Sequence, residues 1–150
     1  MKLKLLMILM LAISSTWASS LMVSGAYVRA TPPGVPNSAA FMMLMNHSSK
    51  DISVVAASSS VAKTLELHTH DMVNGVMRMY QVEKIDVEKN GHTMLKPGGF
   101  HVMFFGLKKP LIEGETVDLE LTLSNGEKVN LEAPVKKVMS GMKMNHGHHH

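Results

Sequence analysis

The sequence contains no cysteine. That absence removes disulfides, thiolate metal sites, thiol redox centres and a lipid anchor on an N-terminal cysteine. Charge is also sparse: 18% of the 150 residues are Asp, Glu, Lys or Arg, and the formal net charge is +3. Setting aside Lys2 and Lys4 of a removable leader lowers that charge to +1. There is no basic stripe of the kind that nucleic-acid binding needs. Aromatic residues make up 5%, and Trp17 is the one tryptophan. The apolar run Leu5 to Ile13 is well short of the roughly 20 residues of a membrane-spanning helix. With Lys2 and Lys4 before it, and Thr16 and Ala18 after it, the run matches a secretory signal peptide cleaved after Ala18. The expected organisation is a signal peptide over 1–18, one compact domain over 19–138 and a flexible tail over 139–150.

Helix is missing as well. "TPPGVPNS" (Thr31 to Ser38) cannot be helical, and the runs around it, Met22 to Ala30 and Ala39 to Asn46, are strand-like. Ile52 to Ala57 and Lys63 to His68 continue the pattern. Three Asn-Gly pairs, at Asn74, Asn90 and Asn125, predict tight turns, because Asn-Gly supplies the positive φ angles of a type I′ hairpin. The pair at Asn125 is flanked by "VDLELTL" and "EKVNLEA", both alternating apolar and polar. Short strands at this spacing predict an all-β, antiparallel β-sandwich.

What the chain has in excess is sulfur and imidazole, with 15 Met and 9 His. In "GGFHVMFFGL", His101 and Met103 are two apart on an expected strand, so their side chains share a face. A thioether beside an imidazole favours Cu(I) over zinc, magnesium or calcium. Met79 lies upstream of this pair and His68 upstream of Met79, giving H-x10-M-x21-H-x-M. In a chain of this His and Met content, chance yields the pattern on the order of 0.004 times. A hairpin at Asn74-Gly75 would bring the segments carrying His68 and Met79 together. The turns at Asn90-Gly91 and "KPGG" (Lys96 to Gly99) would return the chain to the same end of the sandwich.

These residues carry a resemblance to the periplasmic PCu(A)C copper chaperones. It runs from about Tyr27 to Pro134, through "YVRATPPGVPNSAAFM", "LELHTHDMVNGVMRM" and "LKPGGFHVMFFGLKKPL". The resemblance implies a cupredoxin-like β-sandwich and Cu(I) held by His68, Met79, His101 and Met103. It also implies delivery toward the CuA centre of cytochrome c oxidase, with oxidase subunit II or Sco-type copper proteins as partners.

Other His and Met residues receive lesser roles. His70 and Met72 share a strand face with His68 and are read either as support or a landing place for metal, or as surface residues beside the turn. Met77 is assigned to packing, as are Met42, Met43 and Met45 of the Ala39 to Asn46 strand. His47 and His92 are placed at exposed strand ends without a role. Met139, Met142, Met144, His146, His148, His149 and His150 form a tract suited to Cu(II), nickel or zinc. A native tail or the remnant of an affinity tag would each account for that tract.

No nucleophile–base constellation appears, so the chain is read as a non-enzyme. A blue-copper electron-transfer protein is excluded, because such sites need a cysteine thiolate. Periplasmic copper sequestration or resistance is the alternative to a chaperone, and a metal-free adhesion module stands behind both.

Overall fold

The computed structural model describes residues 19–137, and these contain ten strands and no helix. The expected signal peptide over 1–18 and the Met/His tract over 139–150 lie outside the described residues. In chain order the strands are β1 (Leu21–Arg29), β2 (Asn37–Asn46), β3 (Ile52–Ser58), β4 (Ala62–Val73) and β5 (Val76–Gln81). They continue with β6 (Ile85–Val87), β7 (His92–Leu95), β8 (His101–Leu107), β9 (Thr116–Leu123) and β10 (Lys128–Lys136). Hydrogen bonding runs in the order β5-β4-β8-β2-β1-β10-β9-β3-β6, and β7 also pairs with β2.

This sheet folds on itself around one apolar cluster. One half contributes Met42 and Leu44 of β2, Leu67 of β4 and Phe104 of β8, and the other contributes strands β3, β6, β9 and β10. Strict alternation makes this possible. In β9, Val117, Leu119, Leu121 and Leu123 are all buried, while Asp118 and Thr122 point away. The expected all-β sandwich is what the chain forms, with one departure. Every pairing is antiparallel except β1 with β10, where Val28 faces Val135 and Arg29 faces Lys136 in parallel register. That pair joins the two halves of the sandwich.

The Asn-Gly turns differ from one another. Asn74 and Gly75 both have positive φ (52° and 76°), as a type I′ hairpin demands, and they close β4 onto β5. At the third pair only Gly126 is positive. Leu123 O accepts from Gly126 N, and Leu123 N donates to Glu127 O, which makes a three-residue loop ending in a glycine bulge. The middle pair is not a hairpin. Gly91 N donates to Glu88 O with Asn90 at φ 53°, a type II pattern. It carries the chain from β6, which pairs β3, to β7, which pairs β2.

Two local features prepare the outer face of the β4-β8-β2-β1 sheet. In β1 an extra residue between Ser24 and Tyr27 makes a bulge, with Gly25 at φ 62°. The bulge restores the phase, so that Tyr27 faces Phe41 on the outer side and Val28 faces Ala40 on the inner side. Beyond β7, Lys96 to Gly99 turn the chain, with Gly99 N donating to Lys96 O and Gly98 at φ 82°. This turn sets His101 at the first position of β8.

Candidate metal centre

The outer face of β4, β5 and β8 collects the predicted residues. On β8, Val102 and Phe104 point into the core, so His101 and Met103 point out together. On β4, Leu67 is buried inward, which puts Glu66, His68, His70 and Met72 on the outer face. Register then fixes the neighbours. His68 stands opposite His101, and Glu66 opposite Met103. Across the hairpin, Met79 stands opposite His70, while His68 stands opposite Gln81. His68 and Met79 are therefore diagonal neighbours across the β4–β5 pair.

The hydrogen bonds assign the imidazole tautomers. His101 Nδ1 lies 3.0 Å from the Gly99 carbonyl, which can only accept, so Nδ1 carries the proton. Nε2 is left with a lone pair, and it faces Met79 Sδ at 3.2 Å. Two donor atoms thus converge with no proton between them. For a first-row metal with bonds near 2.0 Å to nitrogen and 2.3 Å to sulfur, tetrahedral ligands stand about 3.5 Å apart, so the pair is close to a ligating separation. His68 Nε2 donates to Glu66 Oε2 at 2.7 Å, and its buried Nδ1 has no hydrogen-bond partner. A carboxylate holding the far nitrogen of a histidine is the arrangement that orients metal-binding imidazoles. The buried Nδ1 of His70 is also unpartnered.

Burial disfavours the charged form of His101. His101 is 2% exposed. Desolvation, opposed by the Gly99 hydrogen bond, lowers its pKa from the ordinary 6.5, and the nearby charges of His70, His68 and Arg29 lower it further. The imidazole rings sit close together: His101 is 5.1 Å from His70 and 5.8 Å from His68 between centroids. Phe41 packs at 6.1 Å from His101 between centroids, and the Arg29 guanidinium lies over the Phe41 ring, 5.1 Å from its centre.

A depression of about 470 Å³ opens over this face, lined by His70, Met79, His101 and Met103 together with Arg29 and Phe41. His68 is not among its lining residues and lies behind it, 7% exposed. All four predicted residues therefore gather on one face, but at different depths. His70, which the sequence left between a supporting and a surface role, occupies the depression itself. The signal available in the sequence was its parity with His68 on one strand. A slightly larger depression, about 510 Å³, lies near Ser58 to Ser60 and Asp118, and no Met or His lines it. Among the described residues no three His, Asp or Glu side chains are placed to hold a metal, so an ion in the depression would depend on the thioethers.

Comparison with known proteins gives the family and the fold. The family described as "Putative lipoprotein LpqE-like" matches residues 21–135. A protein of Leifsonia xyli subsp. xyli (strain CTCB07), named "Putative lipoprotein Lxx21020", is 37% identical over 120 residues, which are 79% of this chain and 71% of that protein. Among solved structures, apo-DR1885 from Deinococcus radiodurans is 37% identical and covers 83% of both chains at a TM-score of 0.63. The same protein solved as CuI-DR1885 covers 81% of this chain and 83% of its own at 0.61. The "Copper-bound PCuAC domain from PmoF2" shares the fold at a TM-score of 0.68, covering 81% of this chain and 97% of its own, with 16% identity. The cupredoxin-like β-sandwich and the match across nearly the whole described domain place the chain in the LpqE-like family of PCu(A)C domains.

Proposed function

We propose that this protein is a periplasmic copper carrier that binds Cu(I) through His68, Met79, His101 and Met103. It would release the ion toward the CuA centre of cytochrome c oxidase, to oxidase subunit II or to a Sco-type protein. The observation that carries this reading is the pair formed by His101 Nε2 and Met79 Sδ at 3.2 Å, with the opposite ring nitrogen tied to Gly99. A neutral nitrogen facing a thioether suits a soft monovalent cation, and neither atom needs to lose a proton to bind it. The unpartnered Nδ1 of His68 supplies a second such nitrogen, oriented through Glu66. The copper-bound relatives and the exported character implied by a lipoprotein relative support the same reading.

The placement of Met79 favours transfer over storage. It sits on β5, the edge strand of the sheet, where every residue is exposed. Displacing it disturbs only the β4–β5 ladder, whereas His101 and Met103 are fixed to a central strand. An acceptor could therefore replace the Met79 ligand first, while the two histidines still hold the ion. The test is deletion of the protein in its host under limiting copper. The expected result is loss of CuA assembly that wild-type protein restores and a Met79→Leu, His101→Gln double variant does not. Copper sensitivity with normal oxidase assembly would overturn delivery and favour sequestration.

A further inference from the structure

A second group of sulfur and imidazole donors lies elsewhere on the same outer sheet face. Met43 and Met45, expected to pack as Met42 does, do not join Met42 in the core cluster. Met42 and Leu44 point into the core, so Met43 and Met45 point outward and are only partly buried. Register places three donors in one row across three strands: Met22 of β1 opposite Met45 of β2, and Met45 opposite His92 of β7. One rung along, Met43 stands opposite Met94. Met22 and Met94 are both exposed, about half of each surface remaining open.

A depression of about 290 Å³ lies within this group, lined by Met43, Met45, His47 and His92, with Met22 and Met94 outside its lining. Its donors are therefore two imidazoles and two thioethers, the same set proposed for the first site. Core packing does not account for these side chains, because the inward residues of the same strands already supply the core. Exposed strand positions are ordinarily filled by Thr or charged residues, and an exposed thioether there gains little from burial. Directly opposed residues have Cβ atoms about 4.5–5.5 Å apart, within reach of Met side chains converging on one ion. Met103 pairs with Ala39 and His92 with Met45, so the two groups are six residues apart along β2, about 20 Å at strand rise. One ion cannot serve both.

We propose that Met45 and His92, flanked by Met22, Met43 and His47, form a second site for a soft monovalent coinage-metal ion, Cu(I) or its stand-in Ag(I). No carboxylate lines the depression, which disfavours magnesium and calcium there. His92 is exposed whereas His101 is buried, so the second site should bind more weakly than the first.

Methionine methyl NMR with methyl-13C-labelled protein tests this directly, because each methionine reports separately during an Ag(I) titration. The expected result is that Met79 and Met103 move first, and that Met22 and Met45 then move together at higher Ag(I). In a Met45→Leu, His92→Gln double variant, half-saturation of the Met22 shift should require at least tenfold more Ag(I), with the Met79 and Met103 shifts unchanged. The inference is overturned if Met22 and Met45 stay at their metal-free positions after Met79, Met103 and the tail methionines have saturated. It is equally overturned if Met22 shifts identically in the double variant. Movement of Met22 and Met45 without Met79 or Met103 would leave this site standing and remove the first.

Discussion

Replacing Met79 by Leu separates ligation from packing at the proposed copper centre. Leu keeps the volume and apolar character of Met, and such swaps cost less than about 1.5 kcal/mol even in a core. Met79 is 44% exposed on an edge strand, so the metal-free variant should lose at most about 0.5 kcal/mol, the range for surface substitutions. The effect on Cu(I) should be far larger. The Sδ atom 3.2 Å from His101 Nε2 disappears, and nothing else on β5 replaces it, since Gln81 and Met77 stand two residues away opposite His68 and Met72. Changes to residues that merely support a metal ligand typically weaken binding 10- to 100-fold. Loss of the ligand itself should therefore cost about 100-fold or more, equivalent to about 2.8 kcal/mol. The assay is anaerobic competition against a chromophoric Cu(I) chelator, with thermal denaturation of the metal-free protein alongside. Met42→Leu is the control, because Met42 is 1% exposed and faces the core. It should lower stability more than Met79→Leu and leave Cu(I) affinity unchanged. If Met79→Leu binds Cu(I) within threefold of wild type, Met79 is not a ligand and the reasoning fails.

Two further outcomes follow from the same chemistry. Burial lowers the pKa of His101 below 6.5, so between 6.5 and the lowered value the unfolded chain binds more protons than the folded one. The metal-free protein should therefore lose stability as pH falls through that window, and His101→Gln should flatten the loss; equal slopes for both proteins from pH 7 to 5 would contradict it. If the residues His146, His148, His149 and His150 bind metal, the full chain should take up more Cu(II) at pH 7 than one ending before Met139, and the excess should fall near pH 5; equal uptake would remove that role.

Much of this was legible because a few residues have only one physical use. Asn74-Gly75 needs two positive φ angles and has them. The alternation in "VDLELTL" leaves one way to face a core. His101 and Met103 share a face because the residue between them, Val102, is apolar and inward. Other features stayed hidden for equally physical reasons. "FMMLM" is apolar at every position, so the sequence cannot say which Met faces inward, and only pairing settles that Met42 does and Met43 and Met45 do not. The two-residue turn at Asn74-Gly75 already implies that Met79 meets His70, but no turn joins β4 to β8, so nothing in one sequence records that His68 stands opposite His101. The parallel β1–β10 pair joins the two ends of the domain, and no local signal marks it.

In the proposed centre, thioether sulfur and imidazole nitrogen hold Cu(I) together on the outer face of β4, β5 and β8. X-ray absorption of the protein loaded anaerobically with one Cu(I) tests it most directly. The metal should be surrounded by both nitrogen and sulfur, with the sulfur contribution reduced in Met79→Leu and again in Met103→Leu. A shell of nitrogen and oxygen alone, or a sulfur signal that survives both substitutions unchanged, would contradict it.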